Sequence, residues 1–293
     1  MKKCIFILSL ATLVFAGCDK NEDITLPDNV LRIEASYPSQ SKATDAGFDA
    51  GDKIGLFATS YVGNVASPLQ ISGNWINNAA LIFDGSVWNP EKSLYWDDVA
   101  MDVYGYYPYM KPVSIDAQPF EVACDQSVET ADGVLGGYEA SDFLWAKASG
   151  VTQTEGNVQL AFKHCCSKLV VKLVKGEEYD GDFPSEAELY IHNVVPTATI
   201  DFTTGSVVKD IFGEPTSIRA RKVDDGTYEA IIIPQRVVSR RPFIELIANN
   251  ISYMIEDTFY FKPGVQHTIS LTISSNPNQI KIEIGGEIDG GEW

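Results

Sequence analysis

From Val30 onward, apolar and polar positions alternate with a period near two. Leu31, Ile33 and Ala35 fall on one face and Arg32 and Glu34 on the other, the pattern of a half-buried strand. The same style recurs along the chain. Ile54-Gly55-Leu56-Phe57-Ala58 follows the Gly51-Asp52 turn, Ala80-Leu81-Ile82-Phe83 is closed by Asp84-Gly85, a dipeptide suited to a tight hairpin, and the aromatic run 101–107 is stopped by Pro108. Further apolar runs cover residues 158–162, 168–174, 187–195, 198–202, 228–233, 243–248, 253–255, 267–273 and 279–284. Strands arriving roughly every 10–15 residues, with turn chemistry between them, predict an all-β protein built of sandwiches. A length of 293 residues predicts two domains, and the short polar stretch 150–156 is the expected junction, dividing a first sandwich over 30–152 from a second over 153–293. Segments 61–89 and 111–139 have little regularity, and connections of that length carry binding or assembly functions or serve as decoration.

The N-terminus reads as an address. Lys2 and Lys3 precede an apolar run over residues 5–15, too short for a membrane-spanning helix of about 20 residues and suited to the core of a secretory signal. The run ends in Val14-Phe15-Ala16-Gly17-Cys18, which resembles the lipobox of bacterial lipoproteins. That resemblance implies a signal peptide over 1–17 and a lipidated Cys18 carrying palmitate; the alternative is an ordinary signal cut nearby, with Cys18 a plain thiol. Residues 18–29 then form a polar linker leading into the first strand. Its acidic stretch Asp19-Lys20-Asn21-Glu22-Asp23 resembles the surface-export signal of Bacteroidetes lipoproteins. The expected location is the outer membrane, at the cell surface or on a pilus, with the membrane contacted only through the lipid on Cys18.

Charge and composition narrow the function. Lys and Arg total 22 against 40 Asp and Glu, a net charge of −18, which excludes nucleic acid as a default partner. With 45% hydrophobic residues the chain has material for real cores. Cys124, Cys165 and Cys166 remain once Cys4 and Cys18 are assigned to the leader. Adjacent strand residues point to opposite faces, so at most one bridge forms and buried free thiols are the expected state. No cysteine or histidine spacing suits zinc.

Catalytic motifs are missing from the sequence: no GxSxG, HExxH, phosphate-binding or dinucleotide-binding pattern occurs. His164, His192 and His267 stand far apart, and carboxylate pairs such as Asp97-Asp98, Glu177-Glu178 and Asp224-Asp225 are not distinguished from the remaining acids. The expectation is a non-enzymatic protein without cofactor or metal. Trp75, Trp88, Tyr95, Trp96, Tyr106, Tyr107 and Tyr109 concentrate aromatic surface, which either fills a core or stacks on sugars. Trp75 and Trp88 are the candidate ligand aromatics, with Trp75 the better placed among Asn and Gly.

Taken in order, several motifs resemble the fimbrillin family of Bacteroidetes, the subunits of type V pili. Ser41-Lys42-Ala43-Thr44 and Phe48-Asp49-Ala50-Gly51-Asp52-Lys53-Ile54-Gly55-Leu56-Phe57 resemble its opening motif. Leu94-Tyr95-Trp96 with Val103-Tyr104-Gly105-Tyr106-Tyr107-Pro108-Tyr109 resembles its aromatic strand, and Asp142-Phe143-Leu144-Trp145-Ala146 its Asp-Leu-Leu-Trp-Ala turn. Leu160-Ala161-Phe162-Lys163-His164 with Lys168-Leu169, then Ile233-Pro234-Gln235, Phe261-Lys262-Pro263-Gly264 and the closing Trp293, complete the series. The resemblance implies two transthyretin-like (Ig-like) sandwich domains and polymerisation with other pilin-like subunits by strand exchange. In that family, proteolysis after an arginine removes the first strand and opens a groove. Arg32 is the only arginine before position 219 and is the candidate processing site, the alternative being a plain outward strand residue. A plug around residues 24–32 is therefore expected. Stalk subunits carry a long C-terminal donor, whereas the tail here, residues 285–293, is short and Gly-rich, which implies an accessory or tip-type subunit in cell adhesion. The rival reading is a surface lipoprotein that binds a host or glycan receptor through its exposed aromatics.

Overall fold

Lys53–Val62 occupies the middle of a seven-stranded sheet ordered Lys163–His164, Leu144–Val151, Met101–Tyr107, Lys53–Val62, Ile76–Phe83 and Trp88–Pro90, with Val65–Ala66 folded back on its end. Every pairing in it is antiparallel. The computed structural model describes residues 29–37, 47–176, 179, 181–238, 241–273, 284–285 and 291–292. Cys18, the leader, residues 24–28 of the expected plug, Glu177-Glu178 and most of the run 279–284 lie outside the described residues. Leu144–Val151, whose start the resemblance placed in a turn, is an eight-residue strand inside this sheet.

The sequence patterns account for the local structure. Asp84-Gly85 forms the expected hairpin: Asp84 N–H donates to Val87 O at 3.1 Å, Gly85 takes φ +95°, and Phe83 pairs with Trp88. Asn249 and Asn250, at φ +51° and +61°, turn the chain tightly between Ala248 and Ile251. Met101–Tyr107 is buried at every position because its two faces serve two cores. Met101, Val103 and Tyr107 join Leu31, Ile54 and Trp88 in one; Tyr104 and Tyr106 join Leu169, Ile231 and Phe243 in the other. Gly55 faces Tyr106 across the sheet, where an added Cβ would lie 2.1 Å from the ring.

The first core is covered on its far side by a ribbon only two strands wide, Ile33–Ser36 paired in parallel with Val158–Ala161. The second sandwich sets one sheet, Arg221–Asp224, Thr227–Ile232, Ser167–Lys175 and Val265–Ile273, against another, Thr216–Arg219, Glu188–Val194, Pro242–Ala248 and Ile251–Glu256. The central pair of the first of these sheets is parallel. Residues 284–285 and 291–292 run antiparallel along Val265–Ile273.

Strand pairing crosses the expected junction in both directions. Val158–Ala161 and Lys163–His164 pair back with the first half. Gln118–Glu121, from the irregular segment 111–139, pairs with Thr197–Asp201. Aromatic packing reinforces the joint: Trp145 Nε1–H donates to Phe202 O at 2.6 Å, and the Phe202 ring lies 4.6 Å from Tyr106 and 6.1 Å from Phe57 and from Phe143. Gln126, fully buried, donates to Ile231 O at 2.8 Å and accepts from Ile231 N–H at 2.7 Å, so its side chain completes the backbone bonding of that residue.

Candidate assembly site and aromatic cleft

The leading segment changes partner at Arg32. Before it the chain runs antiparallel to residues 94–96: Trp96 N–H donates to Asn29 O at 2.9 Å, Leu31 N–H donates to Leu94 O at 2.9 Å, and Val30 bridges Tyr95. From Arg32 onward it runs parallel to Val158–Ala161, with Val158 N–H donating to Arg32 O at 2.9 Å. Leu31 (2% exposed) and Ile33 point into the core, and the Arg32 side chain is exposed, as the alternation required. The expected plug therefore differs from the observed ladder. The ladder strand Ile33–Ser36 begins immediately after Arg32, so a cut there leaves it in the subunit and releases only what precedes it. Sequence alternation is continuous through the corner and carries no mark of a change of partner.

Polar contacts clamp this segment on its outer side. The Glu34 carboxylate accepts from Asn157 Nδ2 at 2.6 Å and Gln159 Nε2 at 2.5 Å, which holds its pKa below the usual carboxylate range. Farther along, Tyr37 Oη donates to Asp142 Oδ2 at 3.4 Å, and Asp142 Oδ1 lies 2.9 Å from His164 Nδ1 in a buried pair. Asp142 and His164 come from two separate sequence motifs; spacing alone gave no sign that they meet. Among the described residues neither strand of the ribbon has a second ladder partner, so both present an open edge.

The other two histidines have partners of their own. His192 contacts Ser217 and Glu245, and His267 accepts from Lys262 N–H at 3.2 Å between the rings of Phe259 and Phe261. Burial pushes the Cys165 thiol up to about 12 and raises the Cys166 thiol well above its ordinary value, while Cys124 is exposed, and all three are free. Asp97 accepts from Ser60 Oγ, and Asp224 and Asp225 serve a surface turn and Lys222.

The two candidate ligand aromatics have opposite fates. Trp88 is 7% exposed and packs edge-on against Phe48 at 4.9 Å, so it is a core ring. Trp75 is 47% exposed, and its Nε1–H donates to Tyr95 O at 2.8 Å. Trp75 and Tyr95 help line a cleft of about 430 Å³ between residues 75–80 and 91–95, with Tyr109 also on its wall. Glu91 N–H donates to Ala80 O at 3.0 Å, and on the N-terminal side of Ala80 the strand carries a bulge against Lys53–Val62, where Asn78 takes φ +45°.

A family model described as fimbrillin-like matches residues 41–289. No curated protein matches the chain. A solved structure from Bacteroides uniformis, of a protein provisionally assigned to cell adhesion, is similar at 19% identity and a TM-score of 0.64, over 88% of this chain and 97% of that one. Another with the same provisional assignment, from Bacteroides ovatus, is similar at 17% identity and a TM-score of 0.66, over 88% and 96% of the two chains. At these identities the likeness is one of fold.

Proposed function

Because the chain belongs to the fimbrillin-like family, we propose that it is a structural, pilin-like subunit that joins other subunits by strand exchange and serves cell adhesion at the bacterial surface. The observation that carries this reading is the corner at Arg32: an exposed arginine separates a short antiparallel entry from a ribbon whose edges have no further ladder partner among the described residues. Proteolysis after Arg32 would release the residues before it and vacate the place of Leu31 beside residues 94–96. An incoming strand would fill that vacancy and add to the open ribbon.

The energies involved are comparable. Departure of residues 29–32 surrenders three backbone hydrogen bonds, worth about 1 kcal/mol net each. It also gives up the burial of Leu31, worth about 2 kcal/mol. A replacement strand recovers the same groups against an ordering cost of about 1–2 kcal/mol per residue. Persistence of the polymer then rests on slow release more than on deep affinity.

The finer assignments follow from the sequence. Cys18 would carry the lipid that holds the protein at the outer membrane. Residues 284–285 and 291–292 pair within their own subunit along Val265–Ile273, which supports an accessory or tip-type subunit. Limited digestion with a trypsin-like protease tests the reading: multimers resistant to SDS should appear with the cut chain and be missing from Arg32→Gln. Cut chain that stays monomeric at every concentration contradicts it.

A further inference from the structure

The cleft beside Trp75 is a built site. Its floor is fixed by hydrogen bonds internal to the protein. Asn78 Nδ2 donates to Met110 O at 2.9 Å, and Asn78 Oδ1 accepts from Tyr106 Oη. Asn77 Oδ1 accepts from Asn74 N–H at 2.9 Å, and Asn77 Nδ2 donates to Asn74 O at 3.0 Å. One wall is the Trp75 ring, whose only polar atom is committed to Tyr95 O, so the ring is locked in place with its apolar surface half exposed. Tyr95, 42% exposed, lines the same cleft, and its backbone is joined to the leading segment through the Val30 bridge. Leaving a tryptophan and a tyrosine this exposed sacrifices the burial that large rings ordinarily provide.

The groups that remain available are of a particular kind. Among the described residues, the side chains of Glu91, Lys92 and Ser93 and the phenols of Tyr95 and Tyr109 make no side-chain hydrogen bond, and all five line the cleft. Together they supply hydroxyls that both donate and accept, one carboxylate and one ammonium. Glu91 and Lys92 offset each other, so the cleft is locally neutral on a chain of net charge −18. That balance favours an uncharged ligand, since the field of the whole molecule opposes anions and the cleft itself holds no excess acid to attract cations. A ligand with a flat apolar face for a fixed ring and a rim of hydroxyls for scattered donors and acceptors is a pyranose. About 430 Å³ falls within the range of small-ligand sites.

We propose that the Trp75–Tyr95–Tyr109 cleft binds a neutral oligosaccharide, one sugar ring stacked on Trp75 and its hydroxyls bonded by Glu91, Lys92 and Tyr109. This inference is independent of strand exchange, because it uses the uncut monomer.

The test uses the full chain, uncut, in a detergent without sugar head groups. Lactose, N-acetyllactosamine, maltose, cellobiose and chitobiose are each titrated by calorimetry, with saturation-transfer NMR reporting which protons touch protein. At least one is expected to bind with Kd between about 0.1 and 10 mM. Trp75→Ala is expected to weaken that binding by about fivefold or more. Should Trp75→Ala fail to fold, the exposed rim variant Lys92→Ala decides, with a loss of about threefold or more expected. No binding by any of the five sugars at about 20 mM overturns the proposal. So does affinity unchanged in the deciding variant, including the case in which a peptide rather than a sugar occupies the cleft.

Discussion

Val158 N–H donates to the carbonyl oxygen of Arg32 at 2.9 Å, so the peptide bond that a trypsin-like protease would cut carries a sheet hydrogen bond on its own carbonyl. The protease must therefore wait for the corner to open, however exposed the guanidinium is. Leu31 holds the corner shut by filling the core beside residues 94–96. Leu31→Ala is expected to favour opening by about 2–4 kcal/mol. Cleavage after Arg32 should accelerate by about tenfold or more where opening limits it. N-terminal sequencing over a digestion time course checks the site, and a rate equal to that of the parent contradicts gating.

The joint between the sandwiches can be tested at one glycine. Gly205 takes φ +74° and lies against Trp145, where an added Cβ would come within 2.7 Å of the ring, whereas Gly63 takes φ +63° with open space around it. Gly63→Ala should cost about 1–2 kcal/mol for the left-handed backbone alone. Gly205→Ala should cost at least about 1 kcal/mol more, because Trp145 must shift and its bond to Phe202 O weakens. Equilibrium denaturation of the two variants isolates the contact, and equal losses would remove the joint from the account.

Gln126 is a second strut, and its failure has a specific signature. Gln126→Met keeps most of the volume while stranding the N–H and C=O of Ile231 in the core. The expected loss is about 2–4 kcal/mol, from two buried backbone groups left unpaired. Faster hydrogen exchange at Ile231 should accompany it; retained protection there would mean that another group bonds Ile231.

Stability should fall in mild acid through His267. Burial, then the neighbouring Lys262, lower its pKa from the ordinary 6.5, and its Nε2 accepts from Lys262 N–H, so the folded state holds the neutral ring. A depressed histidine pKa means that the unfolded chain binds the proton first. The stability His267 contributes is complete above about pH 6.5 and declines as pH falls from there toward the folded-state value. Replacing it with a non-titrating residue, His267→Gln, should flatten the dependence of denaturation midpoint on pH between about 7 and 5 relative to the parent. An identical slope in both would place the acid sensitivity elsewhere.

Much of the fold was legible because burial and strand period coincide. Leu31 and Ile33 are buried and Arg32 and Glu34 exposed, as alternation requires, and Met101–Tyr107 ends before Pro108 as read. What escaped the sequence depends on partners far along the chain. Gln118–Glu121 contains Pro119 and shows no period; it becomes a strand because Thr197–Asp201 offers it an edge. Leu144–Val151 was hidden by a resemblance to a turn. The Asn and Gly around Trp75 favoured it over Trp88 as an exposed ring, but that the Asp84-Gly85 hairpin lays Trp88 across Phe83 and Phe48 depends on packing the sequence does not display. The change of partner at Arg32 is invisible to alternation, since both halves of the segment bury the same face.

The vacancy itself is open to direct measurement. The protein is cut after Arg32 and separated from the released piece, and a synthetic peptide of residues 24–32 is titrated back while multimer formation is followed. The account expects the cut chain to stay folded, to bind the peptide saturably, and to stop multimerising once the peptide is bound. A cut chain that unfolds, or one that multimerises equally well with and without the peptide, would contradict it.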